Sequence, residues 1–317
     1  MPKRSRTPPT YDQRVQHITI DSAALGVKKS FYIYVPPELK NGQRAQAVYM
    51  LRGHEREWIN PTEDATRGGT NAIDVYQRLR SAGRIGPLVL VFPGLSSDDN
   101  SVPSVLMNMR APELADHVAG IGRGQFADYF YNELVPYIDT FFPSDGGRRG
   151  MIGFSLGGAM AAKAAAERPD LFASAAAFDG TFLYAQDNGR SVKRADGVIA
   201  NPMFNAAFGQ PRDFAHLAAN SPANLVLNGD AAKLASVTWL ISFGPREIEP
   251  WGSNYFRGMH LLRCLRARGI ANAIDPAAIA DRAHSWNTAD AFLELVLPII
   301  AGARKEATAN PGAKAPG

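Results

Sequence analysis

A Gly-x-Ser-x-Gly motif at residues 153–157 places Ser155 between two glycines. The apolar run Arg149–Phe154 before it is typical of a buried strand, and residues 156–168 have helical periodicity. A serine on such a strand-to-helix turn presents its hydroxyl at the end of a sheet, and the N–H of Leu156, at the start of the helix, can donate to a developing oxyanion. The motif therefore predicts that Ser155 is a nucleophile that attacks carbonyl carbons.

A serine hydroxyl attacks efficiently only when a base takes its proton and an acid orients that base. In enzymes with this motif the chain order is Ser, then Asp or Glu, then His. His284 fits the base because it lies in a predicted loop just before the last helix. His260 lies within a predicted helix, and His216 lies in an irregular stretch, so both are weaker candidates.

The acid is expected after the last predicted strand, residues 237–243. Glu247 follows that strand by four residues and is the preferred candidate, while Glu249 is its rival. A carboxylate here would hold the imidazole in the right tautomer and stabilise the imidazolium ion. Asp230 and Asp281 are weaker alternatives.

A second oxyanion donor should come from the turn after the predicted strand at residues 47–51, where the chain reads Arg52-Gly53-His54. Gly53 allows the backbone to turn its amides towards the site, so the N–H of His54 is the expected donor. The side chains of Arg52 and Trp286 are predicted to contact substrate.

Short apolar runs alternate with helical stretches over residues 15–302, which predicts one α/β domain with a mostly parallel sheet covered on both faces. Two runs at residues 15–20 and 31–35 alternate apolar and polar residues and predict an antiparallel opening pair. Long stretches without a clear pattern, at 94–124 and 180–235, are expected to form loops over the site. Residues 1–14 are predicted to be a flexible arm and residues 303–317 a disordered tail.

Composition excludes several other classes of protein. The formal net charge is +4, but the excess of basic over acidic residues lies in the two tails, at residues 1–10 and 303–317, which argues against nucleic-acid binding. Only one cysteine, Cys264, is present, and no apolar run approaches the length of a membrane helix. No metal-ligand motif and no signal peptide are recognised, so neither a metal nor a membrane partner is predicted, and the expected location is the cytoplasm.

Several segments resemble the esterase D-type putative esterase family of α/β hydrolases, which includes S-formylglutathione hydrolases, feruloyl esterases, enterochelin-type esterases and mycolyltransferases. The segments are 126–139 (FADYFYNELVPYID), 153–158 (GFSLGG), 168–172 (RPDLF), 208–209 with 220–222 (FG and NSP), and 284–286 (HSW). The resemblance implies the α/β-hydrolase fold, no organic cofactor and a triad of Ser155, Glu247 and His284, with oxyanion amides from Leu156 and His54. Two positions depart from the family: Arg52 stands where many members have His or Asp, and the acid is Glu where it is often Asp.

These features together predict a hydrolase of small carboxylic esters, extending to thioesters, that forms an acyl-enzyme on Ser155. Two alternatives remain open at this stage. The same residues serve an acyltransferase, in which an alcohol replaces water, and the fold also serves catalytically inactive binding proteins.

Overall fold

A seven-stranded β-sheet forms the centre of the protein in a computed structural model, which describes residues 11–182, 197–249 and 252–308. The strands are β1 (Gln16–Ser22), β2 (Val27–Tyr34), β3 (Gln46–Leu51), β4 (Leu88–Pro93), β5 (Arg149–Phe154), β6 (Phe172–Phe178) and β7 (Thr238–Ser242). Their spatial order is β1-β2-β4-β3-β5-β6-β7. The first two are antiparallel to each other, β2 is antiparallel to β4, and the remaining pairs are parallel. This arrangement confirms the predicted α/β-hydrolase architecture and its antiparallel opening pair.

Helices cover both faces of the sheet. In chain order they are α1 (Ala72–Ser81), α2 (Phe126–Asp128), α3 (Val135–Phe141), α4 (Leu156–Glu167), α5 (Gly197–Ala200), α6 (Asn205–Phe208), α7 (Phe214–Ala219), α8 (Pro222–Asn228), α9 (Ala231–Ala235), α10 (Tyr255–Ala267) and α11 (Trp286–Thr308). A π-helical stretch, Tyr129–Leu134, joins α2 to α3, so residues 126–141 form a continuous but irregular helix. Short 3₁₀ turns occur at Pro112–Ala115, Pro202–Phe204 and Arg246–Ile248.

The central strands are apolar because both of their faces are buried. Every residue of β3, β4 and β5 is buried. Along β3, Tyr49 and Leu51 join the core on the α4 and α10 side, while Val48 and Met50 join the core on the α1 and α11 side. Successive side chains along a strand therefore pack into two different apolar layers, one on each face of the sheet. Polar residues are found where the strands end, and a site can form there.

Three predictions about the less regular segments need revision. The described part of 180–235 contains the short helices α5 to α9, whereas a loop was predicted, and residues 183–196 lie outside the described residues. Helix α11 continues to Thr308, past the predicted start of the tail. At the other end, Arg14 donates hydrogen bonds to Gln77 and Asp74, so residues 11–14 dock on α1. Residues 1–10 and 309–317, where the remainder of the arm and tail was predicted, are outside the described ranges.

No helix among the described residues is both long and apolar enough to cross a membrane.

A buried ion pair ties the segment after β3 to α11. The guanidinium of Arg67 donates to both carboxylate oxygens of Asp290 at 2.9 Å and to the carbonyl oxygens of Glu57, Trp58 and Asn60. The Arg67 side chain has no exposed surface, and its guanidinium lies over the Trp286 ring, 4.5 Å from the centre. This contact fixes the β3 segment against the helix that follows His284.

We expect Arg67→Met to lower the free energy of unfolding by about 3–5 kcal/mol, because it leaves a buried carboxylate without its cation. Burial already raises the pKa of Asp290 above its ordinary value. In the folded variant, Asp290 should therefore keep its proton to a higher pH than it does in the unfolded chain. The loss of unfolding free energy should then grow as pH rises above about 4, because the folded state must bury an unpaired charge. Urea unfolding at pH 5 and pH 8 measures both effects.

The matched control is Arg78→Met. Arg78 of α1 pairs at 2.8 Å with Glu294 of α11, the helix that also carries Asp290. Both side chains are well exposed, so the free energy of unfolding is expected to fall by less than about 1 kcal/mol. Equal losses in the two variants would contradict a structural role for the buried pair.

Candidate active site

Ser155 lies on the turn between β5 and α4, as the motif predicts. Its backbone has φ 56° and ψ −118°, a conformation that non-glycine residues rarely adopt. The N–H of Ser155 donates to the carbonyl oxygen of Phe178 at 3.1 Å, and its own carbonyl oxygen accepts from the N–H of Thr181 at 3.0 Å. These bonds to the end of β6 hold the serine in the strained conformation.

Close backbone approach explains the two glycines of the motif. A Cβ atom on Gly153 would lie 1.9 Å from the carbonyl oxygen of Gly157, and one on Gly157 would lie 1.9 Å from the carbonyl oxygen of Leu51. Both obstacles are backbone atoms, which cannot rotate away as a flexible side chain can. The turn therefore packs directly on the end of β3.

We expect Gly157→Ala to lower the free energy of unfolding by about 3 kcal/mol or more, because the added methyl group forces β3 away from the turn. Urea unfolding followed by circular dichroism measures the loss. Gly86→Ala is the control, since nothing lies within 4 Å of an added Cβ atom there, and its effect should stay within about 0.5 kcal/mol. A loss at Gly157 no larger than that at Gly86 would contradict the packing described here.

Leu156 is the first residue of α4. The first four N–H groups of a helix have no acceptor within it, and the helix dipole adds partial positive charge at this end. The Leu156 amide is thus suited to donate to an oxyanion formed beside Ser155.

His284 lies in the loop just before α11, with its backbone N–H donating to the carbonyl oxygen of Gly252 at 3.0 Å. Its Nδ1 atom is 2.5 Å from Oδ2 of Asp179. The imidazole also packs on the ring of Phe154, with 4.7 Å between the ring centres. Because Phe154 immediately precedes Ser155, these contacts place His284 beside the nucleophile turn.

Asp179 directly follows β6 and is completely buried. Its Oδ1 atom accepts from the backbone N–H of Gly244 at 2.9 Å and of Asn254 at 2.8 Å. The side-chain amide of Asn254 donates to the backbone carbonyl oxygen of Asp179 at 3.0 Å. Oδ1 is thus held by two backbone donors, while Oδ2 contacts His284 and, at 3.5 Å, accepts from the side-chain amide of Asn254.

Glu247, which the sequence predicts as the acid, lies in the exposed 3₁₀ turn Arg246–Ile248 and does not pair with His284. The rival Glu249 accepts from the backbone N–H of Phe256 at 2.9 Å. Within the described residues, the carboxylate that contacts the imidazole is that of Asp179. The end of β7 contributes the N–H of Gly244 instead of a side chain, because a Cβ atom there would meet Ser253 and the carbonyl oxygen of Arg282.

Sequence reasoning missed Asp179, although a signal was present. Residues 173–178 form an apolar run typical of a buried strand, and an aspartate immediately after it stands at the carboxyl end of a parallel strand, where functional residues collect. It also satisfies the order Ser, Asp, His along the chain. The expectation that the acid follows the last strand directed attention to Glu247.

The predicted oxyanion turn is held by Glu57. The Oε1 atom of Glu57 accepts from the N–H of His54 at 2.8 Å and of Gly53 at 3.1 Å. The His54 amide, predicted as the second oxyanion donor, is therefore committed to a carboxylate in this structure. The imidazole of His54 lies within hydrogen-bond distance of the carbonyl oxygen of Asp98 and of the carboxylate of Glu55.

The two predicted substrate-contacting side chains differ in their surroundings. Trp286 is only 4% exposed and packs edge-on against Trp58 and Phe154, at 5.1 and 5.2 Å between ring centres. Because it is buried and packed between these rings, Trp286 belongs to the apolar core and does not line an open pocket. Arg52 is partly exposed, and its guanidinium carbon lies 5.3 Å from the centre of the Phe154 ring.

Comparison with solved structures finds the same fold in several known proteins. A ferulic acid esterase superposes with a TM-score of 0.66 at 21% identity, covering 91% of this chain and 98% of its own. An S-formylglutathione hydrolase from Agrobacterium tumefaciens gives 0.64 at 20% identity, covering 91% and 94%. MPT51 (FbpC1) from Mycobacterium tuberculosis gives 0.61 at 17% identity, covering 91% and 98%. At these identities the likeness shows the fold alone.

No curated protein sequence matches the chain significantly. The family model described as Putative esterase, in contrast, matches residues 22–296, a span that contains the whole sheet after the first strand and every residue of the candidate site. The chain therefore belongs to the Putative esterase family.

Proposed function

We propose that this protein is a serine esterase in which Ser155, His284 and Asp179 form the catalytic triad. The observation that carries the proposal is the 2.5 Å contact between His284 Nδ1 and Asp179 Oδ2, beside the strained turn that bears Ser155. Membership of an esterase family supports the same chemistry. The triad keeps the two residues that the sequence predicts most directly and replaces Glu247 by Asp179.

In the first half of the reaction, the Ser155 oxygen attacks the ester carbonyl carbon while Nε2 of His284 takes the hydroxyl proton. Asp179 accepts the Nδ1–H of His284, which fixes the tautomer and stabilises the imidazolium ion. The negative charge that forms on the carbonyl oxygen lies at the start of α4, where the Leu156 N–H donates to it. When the tetrahedral intermediate collapses, the C–O bond to the alcohol breaks and His284 returns its proton to the leaving oxygen.

In the second half, water attacks the carbonyl carbon of the acyl-enzyme and gives a proton to His284. The bond to the Ser155 oxygen then breaks, the serine recovers its proton, and the carboxylic acid is released. A thioester carbonyl follows the same course, with a thiol as the first product. In this scheme Glu57 fixes the turn at residues 52–54, and Leu156 supplies the amide to the oxyanion.

Labelling with a small fluorophosphonate tests the proposal without knowledge of the substrate. We expect one adduct by intact-mass analysis, located by peptide mapping on the peptide that contains Ser155. Heat-denatured protein is the control and should gain no adduct, since an unactivated serine does not react. Failure of the folded protein to react, or an adduct on another serine, would contradict the proposed nucleophile.

A further inference from the structure

Arg52 occupies a position next to the proposed triad. It follows β3, whose last residue, Leu51, pairs with Gly153 on β5, and a Cβ atom on Gly157 would lie 2.8 Å from the Arg52 Cα atom. Its guanidinium and the imidazole of His284 both lie against the ring of Phe154, at 5.3 and 4.7 Å from the ring centre. The Arg52 guanidinium and the proposed base thus contact the same aromatic ring.

The guanidinium of Arg52 is anchored on one side only. Its Nε atom is buried and lies 3.3 Å from Oε2 of Glu57, an ion-pair contact without hydrogen-bond geometry, and its guanidinium nitrogens make no hydrogen bond within the described ranges 11–182, 197–249 and 252–308. Arg67 provides the contrast, because all three of its nitrogens donate to protein oxygens and its side chain is fully buried. The Arg52 side chain is 20% exposed, so a ligand can reach it, whereas the Arg67 side chain has no exposed surface.

The charge of Glu57 is shared among several donors. Besides the two backbone amides of the turn, the side-chain amide of Asn100 donates to its Oε1 atom at 3.3 Å. Glu57 thus forms an ion pair with Arg52 through Oε2, while its Oε1 atom is engaged by the turn and by Asn100. A planar guanidinium in this position can present its N–H groups to a second carboxylate, for which its geometry is well matched.

We propose that Arg52 recognises a carboxylate on the alcohol portion of the ester substrate. This inference rests on the proposed function, since it assigns a substrate class to the same site. The alcohol portion is chosen because His284 must donate its proton to the leaving oxygen, so that portion lies beside the imidazole and hence beside the ring shared with Arg52. The substrates are therefore esters of hydroxy-carboxylic acids.

A pair of matched esters tests the inference. 3-Carboxyphenyl acetate carries a carboxylate on its leaving group, and 3-carbamoylphenyl acetate has a neutral amide in the same place. We measure kcat/KM for both esters with the wild type and Arg52→Gln. The variant is expected to reduce the ratio of the charged to the neutral ester by about tenfold or more, the range of a lost charge-assisted hydrogen bond. Intrinsic reactivity cancels in this comparison, as does any general defect that loss of the Glu57 contact causes in the turn.

Arg246→Gln is the matched control, because it removes the same charge from an exposed position after β7 and should leave the ratio unchanged. An unchanged ratio in Arg52→Gln, or an equal fall of the ratio in both variants, would overturn the assignment. Hydrolysis of the neutral ester that disappears in Ser155→Ala supports the proposed function independently of Arg52. If the wild type hydrolyses neither ester and resists fluorophosphonate, the proposed function fails and the inference fails with it.

Discussion

Ser155→Ala is expected to lower kcat for ester hydrolysis by about 10⁴-fold or more and to abolish labelling by fluorophosphonate. Loss of the nucleophile in a serine triad leaves only the rate enhancement that comes from substrate binding and the oxyanion site. The fold should persist, because alanine has the same Cβ atom as serine and the turn is held by backbone bonds to Phe178 and Thr181.

The measurement is steady-state hydrolysis of an aryl acetate, with circular dichroism to establish that the variant is folded. Ser96→Ala is a suitable control, since Ser96 is also buried near a strand end but bonds to the neighbouring backbone at Ser97. Hydrolysis by folded Ser155→Ala at a rate near that of the wild type would show that another group performs the attack.

The parts of this protein that could be predicted from sequence are those fixed by local pattern. The Gly-x-Ser-x-Gly motif between a strand and a helix is a local steric unit, so Ser155 follows from residues 149–168 alone. The five parallel strands β3 to β7 follow from short apolar runs, since a strand buried on both faces has few polar positions, and β1 and β2 follow from alternation of apolar and polar residues. The position of His284 before the last helix is likewise local.

The acid of the proposed triad could not be assigned from local pattern in the same way, because two strands end beside His284. Both β6 and β7 deliver their carboxyl ends to this edge, and only the three-dimensional arrangement decides which one supplies a carboxylate. Gly244, after β7, donates an N–H to Asp179, after β6, so each strand contributes a different part of the same contact. A sequence shows that both loops contain acids but not which of them reaches the imidazole.

The same limit applies to the oxyanion turn. Glu57 lies only four residues after Gly53, yet its carboxylate reaches back to two amides, and this depends on backbone angles that residue types do not determine. Trp286 illustrates the reverse case, because an aromatic residue near a functional histidine suits both a pocket and a core. Its packing against Trp58 and Phe154 decides for the core.

Asp179→Asn is expected to lower kcat by about 10³–10⁴-fold while leaving KM much less affected. In the variant, the two backbone donors at Gly244 and Asn254 would keep the amide oxygen at the Oδ1 position and turn the NH₂ group towards His284. An NH₂ group donates and does not accept, so Nδ1 would become the acceptor and the ring proton would move to Nε2. The base would then present N–H to Ser155, the wrong tautomer for taking its proton.

Glu247→Gln is the matched control, because it makes the same carboxylate-to-amide change at the residue that the sequence favours. Since Glu247 is exposed on a 3₁₀ turn, its loss should leave kcat unchanged within experimental error. The pair of variants separates the two assignments directly: a large fall in Glu247→Gln with little change in Asp179→Asn would return the acid to the loop after β7. A large fall in kcat in Asp179→Asn alone, as predicted, would show that the buried residue after β6 orients the base. It would also explain why Gly244 and Asn254 direct their N–H groups at a single carboxylate oxygen.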